Sequence, residues 1–429
     1  MKPSAPKIFD QIAERIIEQI RQGVLTPGSK VPSVRHMSRQ LRVNTSTVNR
    51  AYWKLENEGL LECRPQSGFY VRPKPLVMEK NSPKNEPPAF PPAAFYYNWP
   101  SGHEPLKKQL ARHYFDCGLD VSPEKIILTS GCSESLNVCY RAVTQPGDIV
   151  AVESPLSPSV LIRLQAYRIK IVEIPMDPHE GIDLDYLRRA LKKYPIKACI
   201  SMPNFSNPMG TLMPDENKKR LVEMLAERES FLIENDLYGD VYFGASRPKP
   251  AKAFDKTGNV LLCSSFSKVL SPGIRVGWVI PGKDVNAAVA SKFSGSSATN
   301  AFTEAGIADY MERGEYARHL RKVRNLCETN LDLFIQAVAR YFPEGTRTSR
   351  PQGGLLFWVE FPKEVDALQL HNEALAKNIL FYPGQAFSMT NKYKNCISIG
   401  MGHQWSDSME KVLETLGSLA KKQMNRASN

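Results

Sequence analysis

The sequence predicts an α/β protein in two parts: a small N-terminal module of three helices and a hairpin, and a large module on a mostly parallel sheet. Three observations carry this. Residues 1–75 hold 13 Lys and Arg against 6 Asp and Glu, whereas the other 354 residues hold 43 against 38. Prolines at 73, 75, 83, 87, 88, 91 and 92 mark a semi-extended spacer between the parts. Beyond the spacer, short apolar runs alternate with helical patterns. The expected organisation is therefore 1–72, a Pro-rich linker over 73–95, and 96–429.

In the first part Ile8, Ile12, Ile16 and Ile20 recur at every fourth residue, which predicts an amphipathic helix over 7–22. Ser33 is placed to cap a second, short helix with Val34, Met37 and Leu41 inward. Asn44 caps a third with Val48, Ala51, Tyr52 and Leu55 inward, and Gly59 lies just past its end. Leu60–Val71 alternates about the turn 65–68 and reads as a hairpin. Helix, short helix, helix, hairpin is the layout of a winged helix-turn-helix. The third helix would offer Thr45, Ser46, Thr47, Asn49, Arg50 and Trp53 to base edges and phosphates. Arg35 and Arg39 would lie over the DNA backbone, and Arg64, Gln66 and Ser67 at the wing tip. Winged helices also bind proteins; the local basic excess favours double-stranded DNA.

In the second part the apolar runs are 126–130, 149–154, 197–203, 230–235, 260–267 and 276–280, and ligands in such folds sit at the carboxyl ends of the strands. Those ends carry Ser130-Gly131-Cys132-Ser133 and Ser265-Phe266-Ser267-Lys268, the latter followed by Arg275. A lysine there can condense with an aldehyde, while an Arg, a Ser and a helix N-terminus can hold a phosphate. The stretch 405–423 reads as a final packing helix.

Composition excludes other classes. A hydrophobic fraction of 42% in 429 residues is too high for a disordered chain. No run of 18 apolar residues predicts a membrane span, and the opening residues do not read as a signal peptide. Eight scattered Cys without a CxxC pair read as reduced thiols of a cytoplasmic protein, with no metal site.

The string PGSKVPSVRHMSRQLRVNTSTVNRAYWKLENEGLLECRPQSGFYV resembles the GntR-type winged helix, including Pro32-Ser33-Val34-Arg35. Thr45 stands where that family often has Arg. Residues 96–420 resemble fold-type I, aminotransferase-like pyridoxal 5′-phosphate (PLP) proteins, and the two together resemble the MocR subgroup of GntR-type regulators. The resemblance implies Lys268 as the Schiff-base lysine. It implies Ser265, Arg275, Cys132 and Ser133 at the phosphate, with Tyr97 reaching in from the partner of a homodimer. Asn207 and Tyr238 would hold the phenolate oxygen.

Departures from the resemblance bear on chemistry. The Asp that pairs with the pyridine nitrogen is expected 33 residues before the lysine, which is Asn235, with Asp236 beside it. Either could reach the nitrogen, and only a carboxylate keeps it protonated. Ser398 stands in place of an Arg that clamps a substrate carboxylate, and Ser157 in place of a ring-stacking aromatic. The segment ahead of Tyr96 is short for a substrate-covering arm. The expectation is a PLP-responsive regulator rather than an enzyme, with no catalytic residue, sensing PLP or a B6 vitamer and controlling a vitamin B6 gene. The alternatives are an active aminotransferase with a DNA-binding appendage and a ligand-free dimerisation scaffold.

Overall fold

The computed structural model describes residues 7–64, 66–72, 102–283, 287, 288, 292 and 299–427. The Pro-rich spacer from 73 on and Tyr97 lie outside the described residues. These group into two compact units: those up to Ile126 with 299–312, and those of 127–292 with 313–427.

The first unit begins with α1 (Ile8–Arg21), α2 (Val34–Leu41), α3 (Thr45–Asn57), β1 (Leu61–Arg64) and β2 (Gly68–Val71), in the predicted order. Both predicted caps form: Ser33 Oγ accepts the N–H of His36 and Asn44 Oδ1 that of Ser46, each at 3.2 Å. The fourfold spacing of α1 buries Ile12 and Ile16 against Val48, Ala51, Tyr52 and Leu55 of α3. The hairpin pairs antiparallel from Leu61–Val71 to Arg64–Gly68, with Gln66 in the left-handed region at its tip.

A further helix, α4 (Glu104–Asp116), belongs to the same core. Phe115 is fully buried in it beside the α1 and α3 residues. Its carbonyl accepts from Gln40 Nε2 at 2.7 Å, and the next carbonyl, Asp116, accepts from His36 Nε2 at 2.6 Å. Arg15 lies 4.8 Å over the Phe115 ring and pairs with Asp120 at 3.2 Å. On α4 packs α9 (Ala301–Glu312), whose Glu304 accepts the N–H of His103 at 2.9 Å.

The second unit contains β3 (Ile127–Thr129), β4 (Ile149–Ser154), β5 (Lys170–Asp177), β6 (Gly181–Ile182), β7 (Ile196–Ser201), β8 (Phe231–Asn235), β9 (Val260–Ser265) and β10 (Gly277–Ile280). They form one sheet in the order β3-β10-β9-β8-β7-β4-β5-β6. β5, β4, β7, β8 and β9 run parallel, while β10 is antiparallel to both β9 and β3. All six predicted runs are strands. β5 escaped prediction because its run, KIVEIPMD, is broken by Glu and Pro.

α5 (Cys132–Val143) and α6 (Pro158–Ala166) cover one face, α7 (Leu184–Lys193) and α8 (Asp215–Ala226) the other. Apolar side chains fill both interfaces, as a doubly covered parallel sheet requires. The chain then forms α10 (Glu315–Tyr341) and a small layer of β11 (Arg347–Thr348), β12 (Leu356–Glu360), β13 (Tyr382–Pro383) and β14 (Cys396–Gly400), with α11 (Ala367–Leu375) and α12 (Asp407–Ala427) packed on it. Among the described residues no helix is long and apolar enough to cross a membrane.

If α4 is part of the N-terminal core, Phe115→Ala creates a cavity there and lowers the stability of that unit by about 3–5 kcal/mol. Urea unfolding followed by circular dichroism reads this; a loss well below that range would remove α4 from the core.

Candidate ligand pocket and nucleic-acid interface

The register of the sheet assembles the pocket. Gly277 opposes both Thr129 of β3 and Ser265 of β9. Because β10 runs against its neighbours, the residues preceding it reach the edge where β3 and β9 end. Ser130-Gly131 and α5, Ser265–Lys268 and Arg275 therefore meet at one place. Gly131 has φ of +95° and Arg275, a non-glycine in the left-handed region, φ of +50°. Arg275 donates Nη2–H to the Ser130 carbonyl at 2.8 Å and Nη1–H to Ser267 Oγ at 3.5 Å. A Cβ on Gly131 would lie 2.9 Å from that guanidinium, so glycine leaves the room it uses.

A cavity of about 540 Å³ opens over this edge. Of the residues singled out from sequence it is lined by Lys268, Arg275, Cys132, Ser133, Ser265, Asn207, Tyr238, Asn235, Ser157 and Ser398. Ser398 arrives on β14, and Ser157 stands just ahead of α6 without a side-chain capping hydrogen bond. The cavity is also lined by Leu356, Tyr382 and Phe387 of the small layer and by Arg163 of α6, none of which the sequence analysis named. Among the described residues Lys268 has no hydrogen bond or ion pair, and the cavity lining contains no Asp or Glu. Asn207 hydrogen-bonds Tyr238, whose hydroxyl is pushed above its usual range by burial and by the neighbouring Cys132. Burial likewise pushes the Cys132 thiol up to about 12.

The structure separates Asn235 from Asp236. Side chains alternate along β8, so Asn235 shares the α5 face with Ile233 and accepts from Cys132 Sγ at 3.5 Å. Asp236 is turned out of the cavity: it is completely buried, pairs with Arg247, and accepts from Asn204 Nδ2 at 3.0 Å. Expected among the cofactor residues, Asp236 follows the last residue of β8, is not in the cavity lining, and is held away from it by Arg247 and Asn204. The opposite face also holds Glu234, which accepts the N–H groups of Ala251 and Lys252, and Glu153, which accepts that of Met202 at 2.8 Å. Burial pushes both carboxyls up to about 7, with nearby Asp236 adding to the effect on Glu234.

In the first unit Arg35, Arg39, Thr45, Ser46, Arg50, Arg64, Gln66 and Ser67 are exposed, and Thr47 and Asn49 half-buried. Trp53 is 57% exposed on the same helix. Arg50 stacks 4.4 Å over Phe9. Arg64 stacks over Tyr70 at 4.2 Å and pairs with Glu62 at 2.6 Å, and Ser67 Oγ bonds the Tyr70 hydroxyl at 2.7 Å, which shapes the hairpin tip.

Comparison with known proteins agrees with both halves. Residues 86–416 match the family model for aminotransferase class I and II, and residues 9–71 that for bacterial regulatory proteins of the gntR family. The uncharacterized HTH-type transcriptional regulator YjiR of Escherichia coli (strain K12) is 33% identical over 95% of this chain and 98% of its own. YdcR of the same organism, named likewise, is 32% identical over 97% of this chain and 100% of its own. Among solved structures, LysN, the alpha-aminoadipate aminotransferase of Thermus thermophilus complexed with N-(5′-phosphopyridoxyl)-L-leucine, superposes with a TM-score of 0.72 at 26% identity, covering 78% of this chain and 85% of its own.

Glu153 makes a pH prediction. Its folded-state pKa lies above the unfolded value of 4.5, so the folded state holds a proton the unfolded state releases. Its stabilising share is present below pH 4.5 and is lost as pH rises through about 7. Glu153→Gln should remove about 3 kcal/mol of that pH dependence. Urea unfolding at pH 5 and pH 8 measures it, and an unchanged difference between the two would refute it.

Proposed function

This chain belongs to the class I and II aminotransferase family, with an N-terminal gntR-family domain in the MocR arrangement, and is a transcription regulator; from that premise we propose that it senses PLP, or another B6 vitamer, and controls a gene of vitamin B6 supply. The observation that carries the reading is a cavity that keeps the means to hold PLP and lacks the means to use it.

The residues present fit the cofactor. Lys268 is free of partners among the described residues, the start of α5 and Arg275 form a concave anion seat over Gly131, and Asn207 with Tyr238 offer a polar pair beside them. When bound, PLP supplies an aldehyde that condenses with an amine and a ring that withdraws electrons if its nitrogen is protonated. Lys268 would hold the aldehyde carbon, and Ser133, Ser265 and Arg275 the phosphate. Asn235 can hydrogen-bond the ring nitrogen but supplies no charge. Asp236 is committed to Arg247 on the other face. Ser398 can hydrogen-bond a carboxylate but cannot neutralise it, as a bidentate Arg does. This favours sensing over transamination.

In this reading α3 enters the major groove with Thr45, Ser46, Thr47 and Asn49 at base edges. Arg35 and Arg39 contact the backbone, and the tip with Arg64, Gln66 and Ser67 reaches an adjacent groove. The protein acts as a homodimer whose two winged helices read two half-sites, and ligand shifts the population between their dockings.

The main test is a PLP titration followed by absorbance. We expect a band near ~420 nm that is lost in Lys268→Ala and that a panel of amino acids leaves unchanged. Bleaching by amino acids would make the protein an aminotransferase, and absence of a band would make the fold a scaffold. On the DNA side, Arg35→Ala should lower operator affinity and reduce the slope of log K against log salt by about one. An unchanged slope would take Arg35 off the phosphates.

A further inference from the structure

Arg163 was not among the residues that motif or resemblance singled out. It lies on α6, half-buried, and lines the cavity. Its Nη2–H donates to Ser133 Oγ at 3.2 Å and its Nη1–H to Asn137 Oδ1 at 3.2 Å, both on α5. Its Nε is buried without a partner, and no acid pairs with it among the described residues. Arg275 meets the same helix start through Ser130 and Gly131. Two guanidinium groups thus reach the first turn of α5, where helix geometry leaves N–H groups without intrahelical acceptors. The acid of that turn, Glu134, is outside the cavity lining: it accepts from the N–H of Ser130 and pairs with Lys292 at 2.8 Å.

We propose that Arg163 is a second phosphate-binding cation of this pocket, and that it makes the ligand's phosphate, rather than its ring, the main determinant of affinity. The inference rests on the PLP reading and deepens it. The cavity lining carries Arg163, Lys268 and Arg275 and no acid. A phosphate monoester near neutral pH is close to a dianion, which the two guanidinium groups balance. Lys268 is the third cation of the lining, and its amine is the group that would condense with the aldehyde, with release of water. An amino-acid carboxylate would meet Ser398, which hydrogen-bonds but carries no charge.

The experiment titrates wild type, Arg163→Ala and Arg163→Lys with PLP and with pyridoxal, which has the aldehyde but no phosphate, reading absorbance. Arg163→Ala should weaken PLP about tenfold or more and leave pyridoxal within about twofold, with Arg163→Lys in between for PLP. Equal weakening of both ligands would make Arg163 a mere brace between α5 and α6, and no weakening of either would remove it from the site. If neither ligand gives a band in wild type, the PLP reading itself fails. Calorimetric titration with inorganic phosphate then decides: binding to wild type that Arg163→Ala loses sustains the anion site, and identical or absent binding overturns it.

Discussion

The close approach of Gly277 to Gly131 is the constraint on which the pocket depends. A Cβ on Gly277 would fall 2.7 Å from the Gly131 carbonyl carbon, so the start of β10 can touch the turn into α5 only because Gly277 carries no side chain. That contact sets α5 onto β9 and β10, where Cys139 and Cys263 meet at 3.1 Å in the core. It also fixes the height at which the helix begins relative to Ser265. A parallel strand in the place of β10 would bring the residues after it to the carboxyl edge. The antiparallel direction brings those before it, which is how Arg275 comes to face Gly131 and Lys268.

The pleat of β8 then divides the chemistry between two faces. On the α5 side stand Asn235, the thiol of Cys132 and the three cations of the cavity. On the α8 side stand Glu234, Asp236 and, on the neighbouring end of β4, Glu153. These acids are used up by structure: Asp236 by Arg247 and Asn204, Glu234 by two backbone N–H groups, Glu153 by Met202 and Ser201. Asp236, one residue past the end of β8, is held on that side by Arg247 and Asn204, so no carboxylate lines the cavity.

Much of this was legible in the sequence because it rests on local rules. Caps at Ser33 and Asn44, fourfold apolar spacing in α1 and unbroken apolar runs in the central strands each identify their element without tertiary information. Lys268, Arg275 and Ser133 stood out by their placement at strand ends, and Asn207 only through the family resemblance. What was not legible depends on partners far along the chain. Phe115 looks like any apolar helix residue until Gln40 and Arg15 are seen around it. Arg163 sits in an ordinary helical stretch, PSVLIRLQA, and only the position of Ser133 gives it meaning. The strands β11 and β13 are two residues long, too short for any periodic signal.

The place of α4 in the N-terminal core leaves only a short stretch of chain between that core and β3. The leading segment of the first unit runs to Ile126, and the second unit takes up the chain at Ile127. Five residues on from Ile126 is Gly131, with β3 and Ser130 between them. A three-residue strand spans roughly 10 Å and, paired to β10, cannot stretch. The chain running into β3 is the segment whose Asp120 holds Arg15 and whose Phe115 is part of the winged-helix core. This segment is anchored by side chains at one end and by strand pairing at the other.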